Sequence, residues 1–148
     1  MTHYFFDTSA LVKLYVQEAG TDRLLSLVEN QSESQLAVLA LSSVEARSAI
    51  RRRERAGDID PQTAEAILQD LREHLDILFV RQPLNDALID LASDMVDRYG
   101  LRAYDAMQLA GCLVVASSAS QAPTFVCSDL RLLEAARSEG LSVFDPTN

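Results

Sequence analysis

The chain has 148 residues, of which 48% are hydrophobic, and this is enough apolar side chain to bury one sizeable core. Its 22 acidic and 13 basic residues give a formal net charge of -9, which argues against a protein that binds nucleic acid through a broad basic surface. The two cysteines, Cys112 and Cys127, are too few for a disulfide framework, so we expect both to be reduced and buried.

Apolar runs and helix-period patterns alternate along the first half of the chain. The run Tyr4–Phe6 stops at Asp7, Thr8 and Ser9, which predicts a buried strand that ends in a polar turn. The following elements are predicted in this order: helices around 11–15 and 24–28, a strand at 36–41, helices at 42–56 and 61–75, and a strand at 77–80. Pro61 supports the start of the fourth helix, because proline suits the first helical position.

The second half continues the alternation. Asn85 is predicted to cap a helix that ends near Gly100, because glycine commonly follows the last helical residue. A mostly buried helix at 101–116, a polar loop at 117–123, a strand at 124–127, a helix at 129–137 and a strand at 141–144 are predicted next. This order predicts a single domain, residues 1–148, with an α/β fold: a three-layer α/β/α sandwich around a mostly parallel central sheet.

Four acidic residues fall near the ends of these elements. Asp7 follows the first strand, and Asp129 follows the strand at 124–127 by two residues. Glu45 lies in the first turn of the helix after the second strand, and Asp105 lies early in the buried helix. Because ligands collect at the carboxyl ends of parallel strands, we expect these acids to share one edge of the sheet. Carboxylate oxygens are suited to Mg²⁺ or Mn²⁺.

Each acid also has an ordinary structural interpretation. Asp7 could form an Asx turn, and Asp129 is a favourable helix N-cap. Glu45 stands three residues after a serine, as in a capping box. Asp105 could pair with Arg102 at helical spacing, although its apolar neighbours favour burial and hence a partner or a metal ion.

Several other kinds of site are not supported. His3 and His74 are isolated from each other and from the cysteines, so zinc spacing and a histidine-pair ribonuclease are both rejected. Neither a glycine-rich phosphate loop nor a G-x-S-x-G elbow occurs in the sequence. Asp86, Asp90 and Asp94 recur every four residues and indicate a solvated helix face.

One basic run, residues 51–55, offers a surface for a nucleic acid. On an ideal helix Arg52 lies almost in line with Glu45, roughly 10.5 Å further along the axis. Arg52 is therefore a candidate contact for a nucleic-acid phosphate. The alternative is a solvated helix end, where cations are favoured by the helix dipole.

Four sequence motifs together carry a family resemblance. They are residues 6–13 (FDTSALVK), 43–50 (SVEARSAI), 102–106 (RAYDA) and 126–129 (VCSD), the last followed by a tail to Leu141. Any one of them is weak, but all four occur in order and span nearly the whole chain. The ordered set resembles the PIN-domain ribonucleases, and its compactness resembles the VapC-type toxins of toxin–antitoxin pairs.

The resemblance implies a cytoplasmic ribonuclease that depends on Mg²⁺ or Mn²⁺ and is inhibited by a cognate antitoxin. It carries the catalytic and metal-binding roles onto Asp7, Glu45, Asp105 and Asp129, with Ser9 supporting one of these acids by a hydrogen bond. A basic antitoxin segment would suit the acidic pocket, because arginine pairs with two carboxylate oxygens at once. No contact with a membrane is expected, since no segment approaches the roughly 20 apolar residues of a span and no basic leader precedes the first strand. The oligomeric state is left open between a monomer and a homodimer.

Two alternatives are kept beside the ribonuclease. An aspartyl phosphotransferase would use Asp7 as its nucleophile, but such enzymes usually carry a second acid two residues later, where this chain has Ser9. A catalytically inactive binding module with the PIN fold is the other, and the complete set of four acids argues against it.

Four carboxylates in one pocket would repel one another, so we expect at least one of them to have a raised pKa without metal.

Overall fold

A computed structural model describes residues 3–29 and 34–148. Strands and helices alternate along these residues, as the sequence pattern predicts. Their bounds are β1 His3–Phe6, α1 Thr8–Lys13, α2 Thr21–Glu29, β2 Gln35–Leu39, α3 Ser42–Arg55, α4 Pro61–Ile77, β3 Phe79–Gln82, α5 Asp86–Tyr99, α6 Ala103–Ser118, β4 Thr124–Val126, α7 Leu130–Ser138 and β5 Val143–Phe144.

The strands form one sheet in the order β3-β2-β1-β4-β5, and every neighbouring pair is parallel. The first strand is therefore the central one, and Phe5 pairs with Ala37 on one side and Phe125 on the other. Each connection between neighbouring strands contains at least one helix. Such a connection is long enough to return the chain to the start of the sheet, as a parallel pairing requires. The predicted parallel sheet is confirmed.

Alternating side chains of the sheet enter two cores. Phe5 points into a core with buried residues of α5, α6 and α7, whereas Tyr4 and Phe6 point into a second core with α1, α2, α3 and α4. The sheet is thus covered on both faces, which confirms the three-layer sandwich. At Gly111 helix α6 lies so close to the sheet that an added Cβ would stand 3.0 Å from Phe5 Cζ. Both cysteines are buried and free.

The strand predicted at residues 77–80 is displaced in the structure. Helix α4 continues to Ile77, and the amide of Leu78 still donates to the His74 carbonyl at 2.7 Å. Ile77 and Leu78 are 78% and 56% exposed, so their apolar character does not mark a buried strand. Strand β3 begins only at Phe79, which is buried.

The last strand is also shorter than predicted, covering Val143–Phe144 rather than residues 141–144. Leu141 instead packs in the core and donates its amide to the carbonyl of Ala136 at the end of α7. No helix in the described parts of the chain is both long and apolar enough to cross a membrane.

Candidate active site

Asp7 occupies the point where the central strand ends and α1 begins. Its amide donates to the Val126 carbonyl at 3.1 Å, which ties it to the end of the neighbouring strand β4. Its Oδ1 accepts from the Ala10 amide at 2.8 Å, so Asp7 caps α1. Ser9 Oγ donates to both carboxylate oxygens, at 2.9 and 3.1 Å, and this is the supporting hydrogen bond predicted for Ser9.

The carboxylate of Asp7 is only 6% exposed and forms no ion pair with a described lysine, arginine or histidine. The pKa of Asp7 is raised from its usual 3.8 to about 6, mainly by burial and to a smaller extent by the charge of Asp105. Hydrogen bonds from Ala10, Ser9 and Cys127 oppose this rise in pKa. Repulsion between acids therefore contributes as predicted, but removal from water is the larger cause.

Asp105 and Asp129 line a second part of the same sheet edge. They face a cleft of about 240 Å³ together with Arg102 and Arg131. Partial burial raises the pKa of Asp105, and the charge of Asp129 raises it further, whereas the two arginines lower it. Asp129 is exposed and caps α7, since its Oδ1 accepts from the Leu132 amide at 3.1 Å. The N-cap interpretation of Asp129 is thus confirmed. The cap uses Oδ1 of the carboxylate, and Oδ2 takes no part in it.

Glu45 is held by a buried polar network rather than by a capping box. Its Oε1 accepts from Thr8 Oγ1 at 2.9 Å and from Gln108 Nε2 at 3.3 Å. The amide of Gln108 also donates to Thr8 and Ser42, both at 3.0 Å. Ser42 lies inside α3, and the residue at its N-cap, Leu41, has no side-chain hydrogen bond. The capping-box interpretation is therefore wrong, and Glu45 is positioned by residues of α1 and α6.

The four predicted acids lie near one edge of the sheet but not in one pocket. Glu45 and Ser9 line a cleft of about 540 Å³ with Arg52, while Asp105 and Asp129 line the smaller one. Within residues 3–29 and 34–148, no three acidic, histidine or cysteine side chains stand close enough together to hold one metal ion. This differs from the single pocket expected from the sequence. Three of the acids accept hydrogen bonds within the fold: the aspartates Asp7 and Asp129 from the amides at the starts of α1 and α7, and Glu45 from the Thr8 hydroxyl.

The basic run at the end of α3 is divided by its ion pairs. Arg51 pairs with Glu54 and Glu65, and Arg53 pairs with Glu18. Arg52 is exposed and hydrogen-bonds only the hydroxyl of Ser48, at 3.1 Å, among the described residues. Its charge therefore remains available at the wall of the larger cleft, on the side of the helix that the sequence predicted.

The sequence matches the PIN domain family over residues 4–138. The chain belongs to the PIN-domain family. This match covers all four acids and Ser9, so the whole sheet edge described above lies within the PIN domain. No curated protein matches the chain.

Solved structures similar to this PIN domain include chains from toxin–antitoxin complexes. A chain of VapBC2 from Rickettsia felis, solved with a DNA fragment from its promoter, is 11% identical, with a TM-score of 0.68 over 97% of this chain and 98% of that chain. A chain of a toxin–antitoxin complex from Klebsiella pneumoniae is 15% identical, with a TM-score of 0.68 over 97% of both chains. A chain of FitAcB from Neisseria gonorrhoeae is 16% identical, with a TM-score of 0.64 over 97% of both chains. At these identities the likeness concerns the fold.

Sequence reasoning missed three residues of this edge. Gln108 is 4% exposed and holds Glu45, and its one signal was a polar residue at an otherwise apolar position of α6. Thr8 was taken only as part of a turn. Tyr104, next to Asp105, lines the larger cleft with its side chain 61% exposed. No pattern in the sequence distinguished Tyr104 from an ordinary surface aromatic residue.

Proposed function

We propose that this PIN domain is a ribonuclease that hydrolyses RNA with Mg²⁺ or Mn²⁺ and acts as the toxin of a toxin–antitoxin pair. The observation that carries the proposal is Asp7, a buried carboxylate without a cationic partner among the described residues, whose pKa is raised further by Asp105. An acid in this position destabilises the fold unless a cation joins it, so its presence favours a function for the charge. The toxin role rests on the PIN family together with similar folds in toxin–antitoxin complexes.

The donor chemistry of this edge fits a hard divalent cation. Asp7, Glu45, Asp105 and Asp129 offer carboxylate oxygens of the kind that Mg²⁺ and Mn²⁺ prefer, and we assign the metal to them. A bound cation would neutralise these acids and act as a Lewis acid towards a phosphodiester. Because Glu45 lines one cleft and Asp105 and Asp129 line another, a single ion bound by all of these acids would need a change of side-chain rotamer at Glu45 or Asp129.

The remaining side chains prepare the site for that cation. Ser9 holds both oxygens of Asp7, which fixes the orientation of its carboxylate. Thr8 and Gln108 hold one oxygen of Glu45 by hydrogen bonds that do not depend on metal. Arg52 supplies a cation at the wall of the cleft for a phosphate of the substrate.

The test is cleavage of total RNA by purified protein in Mg²⁺, in Mn²⁺ and in EDTA, with sequencing of the new ends. We expect cleavage only with metal, leaving 5′-phosphate and 3′-hydroxyl ends. Asp7→Asn and Asp105→Asn should lower the rate by orders of magnitude, whereas Asp60→Asn, which alters an exposed helix cap far from the site, should not. Near-normal cleavage by both site variants would sink this assignment.

The same experiment separates the alternatives. A phosphotransferase with Asp7 as nucleophile would leave RNA intact and form an acid-stable, hydroxylamine-sensitive phosphoryl protein with a phosphate donor. Ser9 and Ala10 donate hydrogen bonds to the Asp7 carboxylate. These bonds orient the carboxylate, and that orientation is compatible with a metal ligand as well as with a nucleophile. A binding module would bind RNA without cutting it in any metal.

The antitoxin is proposed to insert a basic side chain into the acidic edge. Asp105 and Asp129 have no ion pair among the described residues, so an incoming arginine could bond their oxygens. Co-expression with the adjacent reading frame should yield a complex whose affinity falls when both aspartates become asparagine. An affinity unchanged by replacing every acid of the edge would contradict this contact.

A further inference from the structure

Three exposed apolar side chains stand directly beside three of the candidate acids in the sequence. Val44 precedes Glu45, Tyr104 precedes Asp105, and Leu130 follows Asp129, with side chains 64%, 61% and 68% exposed. Among these three, only Tyr104 has a planar ring. Within the described residues the ring makes no contact with another aromatic side chain, and the Tyr104 hydroxyl has no hydrogen-bond partner. Its free ring face is therefore not explained by packing inside the domain.

The position of Tyr104 relates this ring to the reaction proposed above. Tyr104 lines the 540 Å³ cleft together with Glu45, Ser9 and Arg52. One cleft thus presents an acid of the site, a cation without an ion pair and an uncovered aromatic face. Each of these groups matches one part of an RNA strand. The acid would act through its bound metal ion, the cation would contact a phosphate, and the ring would stack on a base.

We propose that Tyr104 is a stacking platform for one base of single-stranded RNA, beside a phosphate held by Arg52. This inference rests on the proposed ribonuclease function and adds a residue that would position the substrate. A base inside a duplex has both faces covered by its neighbours, so only an unpaired and unstacked base can lie against the ring. Stacking uses the face that every base has, so this contact selects strandedness rather than sequence.

A second occupant, an apolar residue of the antitoxin, would also cover an exposed ring. The RNA is favoured because the unpaired guanidinium of Arg52 complements a phosphate in the same cleft. An antitoxin residue that covered Tyr104 would gain nothing from that charge unless it also brought an acid. The antitoxin contact therefore becomes an outcome of the test.

The test compares two probes of equal charge: a short single-stranded oligoadenylate and an abasic sugar-phosphate chain of the same length. Every protein carries Asp7→Asn, which the proposed function expects to stop cleavage. Tyr104→Ala should weaken oligoadenylate binding by about 5- to 150-fold and leave the abasic chain unchanged. Tyr104→Phe should retain the preference for bases, and Tyr104→Leu should lose it, because stacking needs a planar face.

Two further variants serve as matched controls. Arg52→Ala should weaken both probes equally, because it contacts the backbone. Leu130→Ala removes an equally exposed apolar side chain beside Asp129 and should change neither probe. Since the chain contains no tryptophan, Tyr104→Trp introduces a single tryptophan, which can be excited selectively and whose emission should be quenched by oligoadenylate and not by the abasic chain.

Each outcome has one meaning. Equal losses on both probes with Tyr104→Ala would show that the ring shapes the cleft, and would overturn the stacking proposal. No change on either probe would show that the ring does not contact the RNA and would also overturn the proposal. In both cases tight oligoadenylate binding by the parent protein leaves the ribonuclease function standing. Absence of oligoadenylate binding by the parent would overturn the stacking proposal, whereas the ribonuclease function is decided separately by the cleavage assay.

Discussion

Replacing Asp7 with asparagine should stabilise the metal-free protein at neutral pH, although it alters the centre of the candidate active site. Asparagine is as favourable as aspartate at a helix N-cap, so the hydrogen bond from the Ala10 amide is expected to persist. The substitution removes the charge of a residue that is only 6% exposed to water. An ordinary structural aspartate would behave in the opposite way.

The size of the effect follows from the raised pKa of Asp7. The unfolded chain loses this proton near pH 3.8 and the folded protein near pH 6. Between these values the folded state binds more protons, so stability falls as the pH rises through this window and the full penalty is present above about pH 6. A difference of roughly two pH units corresponds to about 3 kcal/mol. For a chain of this length, that is a rise in Tm of about 6–12 °C for the variant.

The assay is chemical denaturation in EDTA at a series of pH values from about 4 to 8. The difference in unfolding free energy between Asp7→Asn and the parent should be near zero at the acid end and should grow towards neutral pH. Asp60→Asn is the control, because Asp60 caps α4 at an exposed site where hydrogen bonds from Thr63 lower its pKa; this variant should be unchanged or slightly less stable at neutral pH. A difference that does not depend on pH, or an Asp7→Asn protein that is less stable than its parent at neutral pH, would refute the reasoning.

Three further predictions test other parts of the molecule. Arg52→Ala should weaken RNA binding and reduce its salt dependence by about one counterion, while Arg55→Ala, which lines neither cleft of the site, should matter less; equal effects would indicate a diffuse basic surface. Gly111→Ala should lower stability by about 1 kcal/mol in thermal melts, because crowding against the sheet outweighs the gain in helix propensity. Thr8→Val should cost about 1–3 kcal/mol and slow cleavage, because it removes the 2.9 Å hydrogen bond to the Glu45 carboxylate and leaves the longer one from Gln108; full activity with a normal Tm would contradict the role of this network.

The architecture could be predicted because each strand in the sequence is followed by a helical pattern. A crossover of that length returns the chain parallel to the previous strand, which leads to a parallel sheet with helices on both faces. The order of the strands could not be predicted, since nothing in the apolar run Tyr4–Phe6 distinguishes a central strand from an inner neighbour. The end of α4 was misplaced for a similar reason: Ile77 and Leu78 are apolar, but a sequence does not show that they face water.

The sequence singles out the four candidate acids, but it does not show which residues hold them in place. The serine three residues before Glu45 is compatible with a capping box, and the real partner, Thr8, is 37 residues away in the chain. Gln108 contacts Thr8 across 100 residues, so its role depends on the packing of α6 against α1. Glu45 lines one cleft and Asp105 and Asp129 line another, and this separation depends on tertiary packing that no spacing in the sequence encodes.

The hydrogen bond between the Asp7 amide and the Val126 carbonyl also sets when the site can form during synthesis. The first acid leaves the ribosome early, but the strand that fixes it, β4, is translated only after residue 123. Since domains fold as units while chains are made at about 5–20 residues per second, a nascent chain carries Asp7 for several seconds before its partner strand exists. Assembly of the sheet edge is therefore delayed until β4 has been made, and until then Asp7 lacks the backbone partner that holds it at the end of the central strand.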